Sequence, residues 1–133
     1  MQDLEKIFRS AVAAHRAGDL SGAERLYKRV LKAMPDQYDT LTALAHLERQ
    51  RGRLDDAYAL FGRALRLNPR SSELLTTRGN ISLELGRAES AVQDYDKALA
   101  IDPSAVTALM NRGSALAQLN RSADALDSYD RAL

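Results

Sequence analysis

Small, aromatic and helix-terminating residues recur along the chain at an interval of 34 positions. Alanine fills one column and an aromatic residue another, at Ala23, Ala57, Ala91 and Ala125 and at Tyr27, Phe61, Tyr95 and Tyr129. Further columns hold proline and a turn residue, at Pro35, Pro69 and Pro103 and at Gly18, Gly52, Gly86 and Asn120. An interval of 20–50 residues is typical of a stacked repeat array.

Each copy of the repeat is predicted to form two helices, because alanine and leucine dominate and β-branched residues are scarce. We place the first helices at 4–17, 37–51, 71–85 and 105–119, and the second helices at 21–33, 55–67, 88–101 and 122–133. The proline column ends each second helix, since proline lacks an N–H. The glycine column permits a positive φ between the two helices. Ser21 and Glu24 predict a capping box for one second helix.

The repeat resembles the tetratricopeptide repeat, a 34-residue helix–turn–helix family, most clearly in Ala57, Phe61, Ala64 and Pro69. The resemblance implies an all-α fold, an α-solenoid of antiparallel helix pairs wound into a right-handed superhelix. It covers a single domain over 1–133, with repeats at 4–37, 38–71, 72–105 and, in part, 106–133. A compact helix bundle is the alternative, but a bundle does not require this periodicity.

The third and fourth repeats add a detail of the family pattern. Both carry an Arg-Gly pair in the first helix, at Arg78-Gly79 and Arg112-Gly113. Other positions depart from the pattern, since the family's early tryptophan is Ile7 in the first repeat. These departures affect the choice of ligand and leave the fold prediction unchanged.

The overall charge argues against a nucleic-acid partner. The chain carries 19 Lys and Arg and 18 Asp and Glu, for a net charge of +1, and nucleic-acid binding requires a basic excess. The charge is uneven, with +4 over residues 1–70 and −3 over residues 71–133. No apolar run is long enough for a membrane helix and no secretory signal is visible. We therefore expect a cytoplasmic protein without a membrane partner.

Candidate chemistry is sparse. The chain has no cysteine and two histidines, His15 and His46, and it contains no recognisable catalytic or nucleotide-binding motif. A two-histidine metal site lacks a third ligand at suitable spacing, so no cofactor is expected. The basic run 49–53 is interpreted as a solvated turn near a helix C-terminus, with a phosphate or acidic-peptide contact as the alternative.

The resemblance also implies where a ligand would bind, because first helices line the concave groove in this family. The register of the repeat gives a candidate groove formed by His15, Arg16, Thr42, His46, Arg49, Glu73, Thr76, Asn80, Met110, Asn111 and Ser114. We expect the groove to be basic in the first two repeats and acidic in the third. Family members that bind chaperone tails use a carboxylate clamp, which is absent here, and Glu73 would repel a carboxylate.

These observations favour a non-enzymatic scaffold that binds a peptide or protein segment in the groove. The alternative is a repeat arm of a larger enzyme, such as a protein O-glycosyltransferase, whose asparagine ladder Asn111 matches at one position. The chain stops at Leu133, before the expected proline of its fourth repeat, which motivates this alternative. We also expect a homodimer through the uncapped C-terminal helix.

Overall fold

The computed structural model describes residues 3–133, which form eight helices and no strand. The helices are α1 (Leu4–Arg16), α2 (Leu20–Ala33), α3 (Tyr38–Gln50), α4 (Leu54–Leu67), α5 (Ser72–Glu84), α6 (Ala88–Ile101), α7 (Val106–Gln118) and α8 (Ser122–Ala132). Every end lies within one residue of its predicted position, so the all-α prediction of paired helices is confirmed. None of these helices is long and apolar enough to cross a bilayer.

The turn inside each pair is the same left-handed turn, which confirms the role predicted for the glycine column. Gly52 has a φ of 79° and Asn120 has a φ of 59°, a region that asparagine tolerates better than other residues with a side chain. At Gly52 the backbone N–H donates to the Arg49 carbonyl at 3.0 Å, and the Arg53 N–H donates to the Glu48 carbonyl at 2.8 Å. These two bonds form a Schellman motif, which satisfies the last carbonyls of the helix.

The capping box predicted for α2 is wrong. The Asp19 carboxylate accepts a hydrogen bond from the Gly22 N–H at 3.0 Å, so Asp19 is the N-cap and α2 begins at Leu20. The preceding turn is complete at Gly18, which leaves Asp19 already in the capping position. Ser21 therefore lies inside the first turn of α2. The Glu24 carboxylate pairs with Lys28, Arg51 and Arg53 and takes no part in a cap.

The helices group into two compact units, one ending at Leu67 and the other beginning at Asn68. The first unit holds α1–α4, with α2 packed against α3. Its core contains the aromatic column, since Tyr27 is 1% and Phe61 is 0% exposed. Phe61 is therefore among the most buried residues of the first unit. The His46 ring meets Phe61 edge-on, with centroids 4.9 Å apart.

The second unit holds α5–α8, with α6 packed against α7. Tyr95 is 0% exposed and packs against the backbone of α5. A Cβ atom added to Gly79 would lie 2.7 Å from Tyr95 Cε1, and one added to Gly113 would lie 2.6 Å from Tyr129 Cε1. The Arg-Gly pairs therefore have a packing reason, because only glycine lets the aromatic ring approach this closely.

Candidate functional site

In the second, third and fourth repeats, the same position of the first helix contacts the aromatic residue of the second helix. The partners are His46 with Phe61, Asn80 with Tyr95, and Ser114 with Tyr129. The Tyr95 hydroxyl donates to Asn80 Oδ1 at 2.6 Å. The aromatic residue is buried at Phe61 and Tyr95 and half-buried at Tyr129, and it contacts an imidazole, an amide and a hydroxyl in the three successive repeats.

The first repeat uses a different residue for the same contact. Val12 occupies the equivalent position, and His15 Nδ1 instead lies 3.5 Å from the Tyr27 hydroxyl. Burial raises the pKa of the Tyr27 phenol, because the charged form would lose its hydration. His15 Nε2 is 2.9 Å from Gln50 Oε1, so this histidine links α1 to the end of α3.

A groove of about 450 Å³ lies between α5 and α7 in the second unit. It contains three of the predicted site residues, Glu73, Thr76 and Asn80. The full lining is Ser72, Glu73, Thr76, Thr77, Asn80, Asp102, Ala105, Val106, Thr107 and Ala108. Its walls are rich in hydroxyl, amide and carboxylate groups, which suits hydrogen bonding to a peptide backbone.

Asn80 and Asn111 join the two first helices beside this groove. Asn111 Nδ2 donates to Asn80 Oδ1 at 2.7 Å, and the same oxygen accepts from the Tyr95 hydroxyl. Asn80 Nδ2 and Asn111 Oδ1 make no hydrogen bond with any residue in 3–133. The pair therefore keeps one amide donor group and one amide acceptor for a ligand.

The remaining candidates in this unit contribute unequally. The Thr76 hydroxyl donates to the Ser72 carbonyl at 2.8 Å and is largely buried, so it is already engaged within α5. Ser114 Oγ lies 3.3 Å from the Tyr129 hydroxyl. The Met110 side chain is 50% exposed and offers apolar surface on α7.

In the first unit, a groove of about 440 Å³ lies between α1 and α3. Its lining is Leu4, Glu5, Phe8, Arg9, Val30, Met34, Gln37, Asp39 and Thr40. The five predicted site residues of this unit lie outside it, namely His15, Arg16, Thr42, His46 and Arg49. They belong to the same two helices but come after the groove residues in sequence, Thr42 by two positions and the other four by more than one turn.

The basic run 49–53 is held by acidic groups of the same unit. Arg51 pairs with Glu24, and Arg53 Nη1 lies 2.9 Å from Glu24 Oε2 and 3.3 Å from Glu48 Oε2. Lys28 also donates to Glu24 at 2.6 Å. The pKa of Glu24 is lowered mainly by this Lys28 hydrogen bond and also by Arg53, against the opposing effect of burial. These contacts favour a structural role for the run over a phosphate site.

The arginines of the two Arg-Gly pairs also have structural partners. Arg78 binds the Asp94 carboxylate through Nε at 2.8 Å and through Nη2 at 2.7 Å, and Asp94 is 3% exposed. Arg112 binds Asp96 at 2.6 Å and Ser128 Oγ at 2.7 Å. The bidentate Arg78–Asp94 pair and the two separate bonds of Arg112 each connect neighbouring helices. Both arginines therefore have a structural role.

Sequence reasoning missed the contribution of the connections between repeats. Met34 and Gln37 line the groove of the first unit, and Asp102 and Ala105 line that of the second. All four flank a proline of the repeat, directly before the next first helix. The proline column was the available signal, because it marks where the chain returns to the first-helix face.

No group of three or more histidine, aspartate or glutamate side chains within residues 3–133 could hold a metal ion. Each unit instead presents a groove lined by polar side chains between its first helices.

Comparison with known proteins relates this geometry to a family. A tetratricopeptide repeat family model matches residues 42–106 and again residues 76–133, which together cover more than half of the chain. No curated protein sequence gives a match.

Solved structures share the fold over nearly the whole chain. A tetratricopeptide repeat protein from Parabacteroides merdae superposes with a TM-score of 0.90 at 28% identity, over 96% of this chain and 51% of its own. MamA AMB-1 gives a TM-score of 0.91 at 22% identity, over 98% and 71% of the two chains. MamA from Desulfovibrio magneticus RS-1 gives 0.89 at 15% identity, over 98% and 73%. The latter two similarities concern the fold alone.

The family model and the repeated helix pairs agree with the sequence pattern. Tetratricopeptide repeat proteins are typically non-enzymatic scaffolds, which supports a general role in protein interaction. The chain belongs to the tetratricopeptide repeat family.

Proposed function

We propose that the chain binds an extended or helical peptide of another protein along the faces of its first helices. The observation that carries this proposal is the Asn80–Asn111 pair beside the α5–α7 groove. Its free amide donor and acceptor match the C=O and N–H groups that a bound peptide presents. The neighbouring helices already hold the two asparagine side chains in place. Ligand binding therefore does not cost the conformational entropy of ordering them.

The groove residues support a ligand of mixed character. Glu73 and Asp102 supply negative charge, and the Thr107 hydroxyl adds a further hydrogen-bonding group. Val106 is 51% and Met110 is 50% exposed on α7. A peptide with a basic residue beside an apolar one would satisfy these groups together. In the first unit, the two histidines and Arg16 are candidate contacts for a ligand of that unit.

The experiment is a selection from a random peptide library on the intact chain, followed by affinity measurement for the enriched peptides. Asn111→Ala and Asn80→Ala should each weaken binding by about tenfold, the effect of losing one well-placed hydrogen bond in a desolvated site. Gln93→Ala is the matched control, because it truncates an exposed amide on the second helix α6. Circular dichroism should show that all three variants remain folded.

Two results would contradict the proposal. One is an enriched peptide whose affinity is equal for the parent chain, Asn111→Ala and Asn80→Ala. The other is an amide-resonance map in which the peptide shifts only second-helix signals.

A further inference from the structure

A second groove in the first unit is formed mainly by α2 and α4 and shares no residue with the α1–α3 groove. It encloses about 440 Å³, a volume within the range of binding pockets. Helices α2, α3 and α4 all contribute to its lining, which consists of Lys28, Leu31, Lys32, Leu44, Glu48, Asp56, Ala59, Leu60 and Arg63. This site is independent of the function proposed above.

Leucines form the floor of the α2–α4 groove. Leu31 is 9% and Leu44 is 3% exposed, while Leu60 is half-buried. Ala59 beside them is exposed. Because its side chain is a single methyl group, it leaves the space above the leucines open. A depression of this size and composition accommodates an apolar side chain from a partner.

Basic residues of α2 border this groove and continue beyond it: Lys28 and Lys32 line the groove, whereas Arg25 and Arg29 line a neighbouring depression on the same helix. Arg25, Lys28, Arg29 and Lys32 are spaced at i, i+3, i+4 and i+7 and are all exposed, so they form one stripe on the helix. Lys28 pairs with Glu24. The other three form no ion pair with any residue in 3–133. The stripe therefore carries positive charge that the unit itself does not neutralise.

Glu48 places a buried carboxylate in the wall of the groove. Its side chain is 3% exposed and lines the groove. One carboxylate oxygen faces Arg53 at 3.3 Å, while Oε1 is buried without any hydrogen-bond partner. Buried polar atoms are nearly always paired in folded proteins. This carboxylate disfavours acidic groups beside it, so the acidic residues of a partner would lie along the α2 edge of the groove, near Lys28 and Lys32.

We propose that the α2–α4 groove binds an acidic, amphipathic helical segment of a partner protein. One apolar side chain of the segment lies on the leucine floor, and its Asp or Glu residues pair with the basic stripe. The carboxylates of Glu48 and Asp56 disfavour a continuous polyanion such as nucleic acid. None of the large hydrophobic residues that are exposed in residues 3–133 lines this groove, which disfavours insertion into a membrane.

The test uses a short fluorescein-labelled helical peptide with two leucines on one face and glutamates on the flanks, titrated with the intact chain. The double variant Arg29→Glu/Lys32→Glu should weaken binding by about tenfold or more, because it places like charges against the peptide. Leu60→Glu should weaken it similarly by occupying the floor with a charge. Arg66→Glu is the matched control, an exposed arginine on α4 outside the groove, and should change affinity less than about twofold.

Separate arms distinguish the competing occupants. A peptide with serine in place of both leucines should bind at least about tenfold more weakly, since the floor would lose its apolar partner. Equal binding of that peptide, tighter binding of a single-stranded oligonucleotide, or tighter binding of phosphatidylserine vesicles would each overturn the proposal. So would the absence of binding at millimolar peptide. Amide shifts confined to α5 and α7 would also overturn it, while leaving the first-helix proposal standing.

Discussion

Replacement of Phe61 by alanine should destabilise the chain by about 3–5 kcal/mol, the range measured for buried aromatic residues. The ring is 0% exposed, so the substitution removes the full transfer free energy of the side chain, about 1.5–3 kcal/mol. The edge-on contact with His46, with centroids 4.9 Å apart, adds about 0.5–1.5 kcal/mol. The cavity left on α4 accounts for the remainder.

The free energy of unfolding should be measured by urea titration with circular dichroism, with the slope checked for each variant. Leu67→Ala is the matched control, because it removes an apolar side chain that is 45% exposed on the same helix. We expect the control to lose less than about 1 kcal/mol. Phe61→Leu should fall between the two, since it keeps most of the buried volume.

A loss below about 1 kcal/mol for Phe61→Ala would refute the reasoning, because it lies outside the range for a core aromatic. An equal loss for Leu67→Ala would also refute it, since burial would then have no bearing on the cost.

Three further predictions concern packing, pH and salt. Gly79→Ala should destabilise the chain by about 1–3 kcal/mol in urea titration despite the better helix propensity of alanine, because its Cβ would meet Tyr95 at 2.7 Å. The pKa of Glu24 is lowered by Lys28 and Arg53, so its contribution is present above the unfolded pKa and is lost as the pH falls through the folded pKa. Glu24→Gln should therefore show a flatter loss of stability in acid titrations. Peptide affinity at a charged groove should fall with added salt, and salt-independent binding would favour an apolar contact surface instead.

The sequence alone determined the repeat and its helices. The 34-residue columns predicted all eight helices, and the positive φ expected at Gly52 extended correctly to Asn120. These features depend on local physics, namely helix propensity, proline geometry and the left-handed turn. The burial of Phe61 followed as well, because a small residue and an aromatic recur together on one helix face.

Tertiary structure decided the contacts between helices. Glu24 pairs with Arg51 and Arg53, which lie 27 and 29 positions away, and the sequence had assigned it to a local cap. Asn111 donates a hydrogen bond to Asn80, which lies 31 positions earlier. This separation is not the 34-residue interval of the repeat, so the sequence pattern does not predict the bond. The distance between side chains on successive repeats depends on how the helix pairs pack, and this packing is set by many ring and small-residue contacts together.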